Sequence, residues 1–97
     1  MSEPYSIKNK KLDVDILVQP IKQRQMSTFQ ARHRVLREEL GEVASVFELY
    51  GIYCQAAKEA KILPDDLDID EMEAEQVSFI GKMLVDYVNS LYEITPE

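Results

Sequence analysis

One histidine, one cysteine and a run of acids are the residues of this 97-residue chain whose types invite chemistry. His33 and Cys54 are the pieces of a nucleophile and its base, because an imidazole within hydrogen-bond reach can take the proton from an attacking thiol. They fall on different predicted helices, and no second histidine or converging acid supports the pair. A single histidine inside an apolar row is ordinarily neutral and half-packed with one nitrogen hydrogen-bonded. A single cysteine on an apolar helix face is ordinarily a small buried hydrophobe, and it has no partner here for an internal disulfide.

The acids concentrate between Pro64 and Glu75, where PDDLDIDEMEAE holds seven in twelve residues. Asp66, Asp68 and Asp70 alternate as the first ligands of a calcium loop do. The sixth position is then Glu71, where glycine makes the turn, and the twelfth is Val77, where a bidentate glutamate closes the site. The run reads instead as a solvated loop whose Leu67 and Ile69 tuck into the helices. Gly41, Gly51 and Gly81 are isolated, so no phosphate-cradling loop exists, and neither a cofactor nor a metal is expected. Arg24, Arg32, Arg34 and Arg37 share one predicted helix, with Lys8, Lys10 and Lys11 before it, the footprint of a phosphate binder. A net charge of −7 argues against nucleic acid. So does the segment after Gly41, which is apolar and acidic where a recognition helix would be polar and basic.

These groups must be held by a small fold. Hydrophobic residues at 45% and charged residues at 30% describe an ordinary soluble domain, and no apolar run approaches the roughly 20 residues of a membrane span. The opening MSEPYSIKNKK lacks the apolar block of a signal peptide, so a cytoplasmic location is expected. Residues 1–37 carry eight Lys and Arg against three acids, net +5; residues 38–97 carry three against fifteen, net −12. The basic first part is expected to pack near the acidic remainder.

The organising stretch is VASVFELYGIYCQAAKEAKIL, residues 43–63. Val43, Phe47, Tyr50, Cys54 and Ala57 form one helical row, with Val46, Leu49, Tyr53, Ala56 and Ala60 beside it. Two rows predict a helix covered from two directions. Around it, residues 1–11 are expected to be a mobile arm. Residues 12–18, with Leu12, Val14, Ile16 and Val18 on one side, are expected to be a half-buried strand that pairs with the arm or with another subunit. Helices are expected at about 21–40, 42–61 and 71–92. The first has Met26, Phe29, His33, Leu36 and Leu40 on its apolar side and a stop at Gly41. The second has Gly51 marking a close helix crossing. The third is capped by Asp70 with Glu73 and carries Val77, Ile80, Leu84, Tyr87 and Leu91. The fold class is therefore mainly α: a three-helix bundle-like domain over residues 12–97 with one short N-terminal β-strand.

Three stretches give the chain a resemblance to the small tail assembly chaperones of long-tailed bacteriophages and prophages. DVDILVQPIKQRQMSTF is similar to that family's opening of extended segment, proline turn and Gln/Arg-led helix. AAKEAKIL followed by PDDLDIDEM resembles its alanine-rich helix end and acidic loop, and VDYVNSLYEITPE resembles its last helix with a Leu-Tyr pair and final proline. The departure is at Ile62 and Leu63, which stand directly before Pro64 with no glycine to mark the turn. The resemblance implies a non-enzymatic assembly factor in a bacterial host cytoplasm. It would coat the aggregation-prone tape-measure protein, present it to the tail-tube protein, and work as an acidic, soluble homo-oligomer. Tyr50, Tyr53, Tyr87 and Tyr92 are then the candidates for lining a client groove, since tyrosine can be packed at one end and wet at the other. The alternative is a small acidic regulator directed at nucleic acid, or a DNA-mimicking inhibitor of phage origin.

Overall fold

Alternation of apolar and polar side chains builds the first layer. Val14–Val18 forms strand β2, with Val14, Ile16 and Val18 buried and Asp15 and Leu17 outside. Its partner is β1, Tyr5–Asn9, which runs antiparallel with Tyr5 opposite Val18 and Asn9 opposite Val14. The computed structural model describes residues 3–93, the side chains of residues 92 and 93 excepted. Residues 5–9, expected as a mobile arm, form a strand, and of the two partners expected for β2 it is the arm that pairs with it; residues 12 and 13 belong to the turn and not to the strand. The cause is local. Asn9 Oδ1 accepts the Leu12 N–H at 3.2 Å, and the Asp13 N–H donates to the Lys10 carbonyl at 3.2 Å. Asp13 takes φ 57, a left-handed conformation that aspartate tolerates. The turn folds the chain back on itself, so the backbone groups of β2 find partners within the molecule.

Three helices follow: α1, Gln23–Leu40; α2, Val46–Glu59; and α3, Ala74–Glu93. The domain is mainly helical and bundle-like, with a two-stranded N-terminal sheet. Each helix starts later than the apolar periodicity suggests, because a polar side chain sets its start. Gln25 Oε1 accepts the Lys22 N–H at 2.9 Å ahead of α1. Ser45 and Glu48 form a reciprocal capping box, each side chain accepting the other's backbone N–H at 3.1 Å, so α2 starts after Ser45 and not at Glu42. At α3 the Glu73 N–H donates to Gln76 Oε1 at 2.9 Å. That replaces the expected cap at Asp70 and moves the start from residue 71 to Ala74. The Gln76 amide also donates to the Leu12 carbonyl at 2.8 Å, tying the hairpin turn to the start of α3.

The helix ends differ in chemistry. Gly41 follows α1 with φ 88, a conformation that side chains rarely adopt. After α2 the same service falls to Lys61 at φ 66. The Ile62 N–H donates to the Ala57 carbonyl at 2.8 Å and the Lys61 N–H to the Lys58 carbonyl at 3.1 Å, the paired bonds of a Schellman motif built on a lysine.

α2 packs against both α1 and α3, and β1 lies on α3. Cys54, Ala56, Ala57 and Ala60 of α2, Val77, Ile80, Leu84 and Val88 of α3, and Ile7, Val14, Ile16 and Val18 of the hairpin share one core with Phe29, Ile62 and Leu63. The two-sided burial expected for residues 43–63 thus holds only from the middle of α2 onward. Val43 is 97% exposed, Val46 61% and Phe47 58%. The close crossing is also displaced from Gly51, where an added Cβ would meet nothing within 4 Å. It falls at Gly81 of α3, where an added Cβ would lie 2.7 Å from the Tyr50 Cβ and 3.0 Å from the Tyr50 carbonyl oxygen.

Candidate functional site

Cys54 is 1% exposed, and its thiol donates to the Val77 carbonyl across the α2–α3 contact at 3.5 Å. Burial pushes its pKa up to about 12. A thiol held protonated in an apolar wall is a poor nucleophile. His33 lies in an aromatic cluster on the other side of α2: it stacks on Phe29 with centroids 5.9 Å apart and meets Tyr53 edge-on at 5.1 Å. Burial first, and the Arg37 charge second, hold its pKa below the usual 6.5. A histidine in such surroundings is favoured as the neutral ring, as expected from its place in an apolar row.

The acids of residues 65–75 are exposed, while Leu67, Ile69 and Met72 pack against the core, the arrangement expected of a solvated loop. Asp68 Oδ1 caps the Glu71 N–H at 3.4 Å, and Asp65 pairs with Lys61 at 3.1 Å on the surface. Among the described residues no three of His, Cys, Asp and Glu converge as a metal cage. Nor is any helix among them long and apolar enough to cross a membrane.

Two of the four α1 arginines are engaged within the molecule. Arg32 pairs with Glu59 at 2.7 Å, joining the basic first part of the chain to the acidic remainder, and Arg37 donates to the Gly41 carbonyl. Arg34 and Arg37 edge a groove of about 370 Å³ with Phe29, His33, Tyr53, Val88 and Asn89.

Tyr50, Tyr53 and Tyr87 do not share a groove. Tyr50 lies against Gly81 at the α2–α3 crossing, Tyr53 packs edge-on to Phe29 at 4.8 Å, and Tyr87 stacks on Tyr5 at 4.5 Å and 8°. The Tyr92 side chain lies outside the described residues. Burial, then the Asp86 carboxylate, raises the Tyr5 pKa, as suits a phenol packed under a helix.

The largest departure from a closed surface is the row that opens α2. Val43 stands just ahead of α2, and Val46, Phe47, Tyr50, Cys54 and Ala57 lie on one face of that helix. Cys54 and Ala57 are covered, Tyr50 is half-covered, and the first three are bare. The spacing of this row is legible in the sequence; its exposure is not, because that depends on where α3 crosses. No family model, curated protein or solved structure matches the chain.

Proposed function

We propose that the protein is a non-enzymatic tail assembly chaperone of a long-tailed phage or prophage, which binds the tape-measure protein and keeps it soluble until tail-tube subunits take over. The observation that carries the reading is the group of bare apolar side chains at Val43, just ahead of α2, and at Val46 and Phe47 in its first turn. Large apolar side chains grouped on the surface of a small acidic domain suit the capture of another chain. The net charge of −7 would keep a coated complex in solution. Among the described residues each strand of the two-stranded sheet has one edge without a strand neighbour, where copies could add to one another along a client. The resemblance of residues 13–29, 56–72 and 85–97 to that family supplies the identity of the client. The test is co-expression with the tape-measure gene of the same phage. The client is expected to move from the insoluble to the soluble fraction and to co-purify with this chain. A client that stays insoluble and does not co-purify removes the reading.

A further inference from the structure

We infer that the groove lined by Phe29, His33, Arg34, Arg37, Tyr53 and Val88 is a binding site for a small aromatic carboxylate, a flat ring system carrying one anionic group. The inference goes beyond the reading above, because it concerns a small molecule and not another chain. The floor of the groove is built from rings. Phe29 and His33 of α1 lie nearly parallel, 16° apart with centroids at 5.9 Å, and Tyr53 of α2 meets them edge-on at 4.8 and 5.1 Å. Val88 of α3 lines the groove with Asn89 beside it. Phe29 and Val88 are each only 3% exposed, so the core holds the floor in place before any guest arrives. About 370 Å³ accommodates one or two fused rings, at the lower end of small-molecule sites. A guest that is itself aromatic gains ring contacts beyond the area it buries.

Charge selects among such guests. Arg34 and Arg37 line the groove with one acid, Glu38, while α2 and α3 bring no charged residue to it. Ion pairs among the described residues join Arg32 to Glu59 and Lys61 to Asp65, so Glu38 is in contact with neither groove arginine. It lies one turn beyond Arg34 on an exposed surface, where such pairs contribute little even when they form. Arg37 gives one N–H to the Gly41 carbonyl, and a guanidinium has five to offer. His33 is favoured as the neutral ring, so the balance at the groove is two positive groups to one negative. A carboxylate can take paired N–H donors from a guanidinium, which a neutral or cationic guest cannot do. The chain as a whole carries −7, so an anion held here is held by the groove and not by the overall field.

The test is an NMR titration of the full chain with naphthoate, the neutral naphthamide, the cationic naphthylmethylammonium and the aliphatic octanoate. His33 is the single histidine of the chain, so its ring C–H resonances report on this groove alone. Naphthoate is expected to shift them with a dissociation constant on the order of 1 mM or tighter. It is expected to bind about fivefold or more tightly than each of the other three probes. Arg34→Gln is expected to weaken naphthoate about fivefold or more. Arg24→Gln removes the same charge from the same helix outside the groove, and is expected to leave the affinity within about twofold. Both positions are exposed, and unchanged thermal melts check that the fold is kept. Equal binding of the three naphthyl probes, octanoate binding as tightly as naphthoate, or His33 resonances that stay still overturns the proposal. So does naphthoate binding that is indifferent to Arg34→Gln, or weakened as much by Arg24→Gln.

Discussion

His33 and Cys54 show how one residue's chemistry is set by its surroundings. The thiol bonds to a carbonyl inside the α2–α3 wall, and the imidazole is stacked among Phe29 and Tyr53 beside Arg37. The histidine leaves a signature in stability. Its folded pKa is lowered from 6.5, so as pH falls the unfolded chain takes up the proton first. Its contribution is whole above 6.5 and is lost as pH drops from there through the folded value. His33→Gln should flatten this part of the profile. Urea unfolding of both proteins from about pH 8 to about pH 5 measures it, and equal slopes would count against the account.

At the scale of the element, polar side chains set where each helix begins, and backbone conformation sets where α1 and α2 end. The signature at Ser45 and Glu48 is an S-x-x-E capping box readable in the sequence, and it outranks the apolar residues at Val43 and Ala44. Lys61 holds a left-handed conformation that glycine takes with less strain. Its ion pair to Asp65 is exposed and offers little in return. Lys61→Gly is therefore expected to stabilise the fold by roughly 0.5–1 kcal/mol, read as a higher urea midpoint with an unchanged slope. The hairpin shows a second local rule at work: the Asn9 and Asp13 turn chemistry, more than the alternation of β2, recruits residues 5–9 as its partner strand.

The whole molecule is organised by one crossing. α3 meets α2 backbone to backbone at Gly81, and beyond that point Val46 and Phe47 of α2 are uncovered. Gly81→Ala is expected to destabilise by about 1–3 kcal/mol, because the nearest atoms are Tyr50 main chain and Cβ, which cannot swing aside. Gly51→Ala, with open space around it, is expected to stabilise by roughly 0.5–1 kcal/mol through helix propensity alone. Paired thermal melts check both, and a Gly81→Ala protein as stable as the parent would move the crossing elsewhere. Packing also distributes the core more evenly than the apolar count suggests. The hairpin's inner face and the Val77, Ile80, Leu84, Val88 stripe of α3 contribute as much to it as the back half of α2 does.

Periodicity by itself determined three helices, a strand of alternating residues, a buried cysteine, a half-packed histidine, and an acidic loop pinned by Leu67 and Ile69. Those are properties of neighbours in sequence, and short-range sterics and hydrogen bonding express them locally. Which part of residues 43–57 is covered, which of two glycines takes the crossing, and that Tyr50, Tyr53 and Tyr87 are not gathered in one groove depended on tertiary structure. The angle and position at which two helices meet come from side chains far apart in the chain, and a period along one helix carries no record of its neighbour's path.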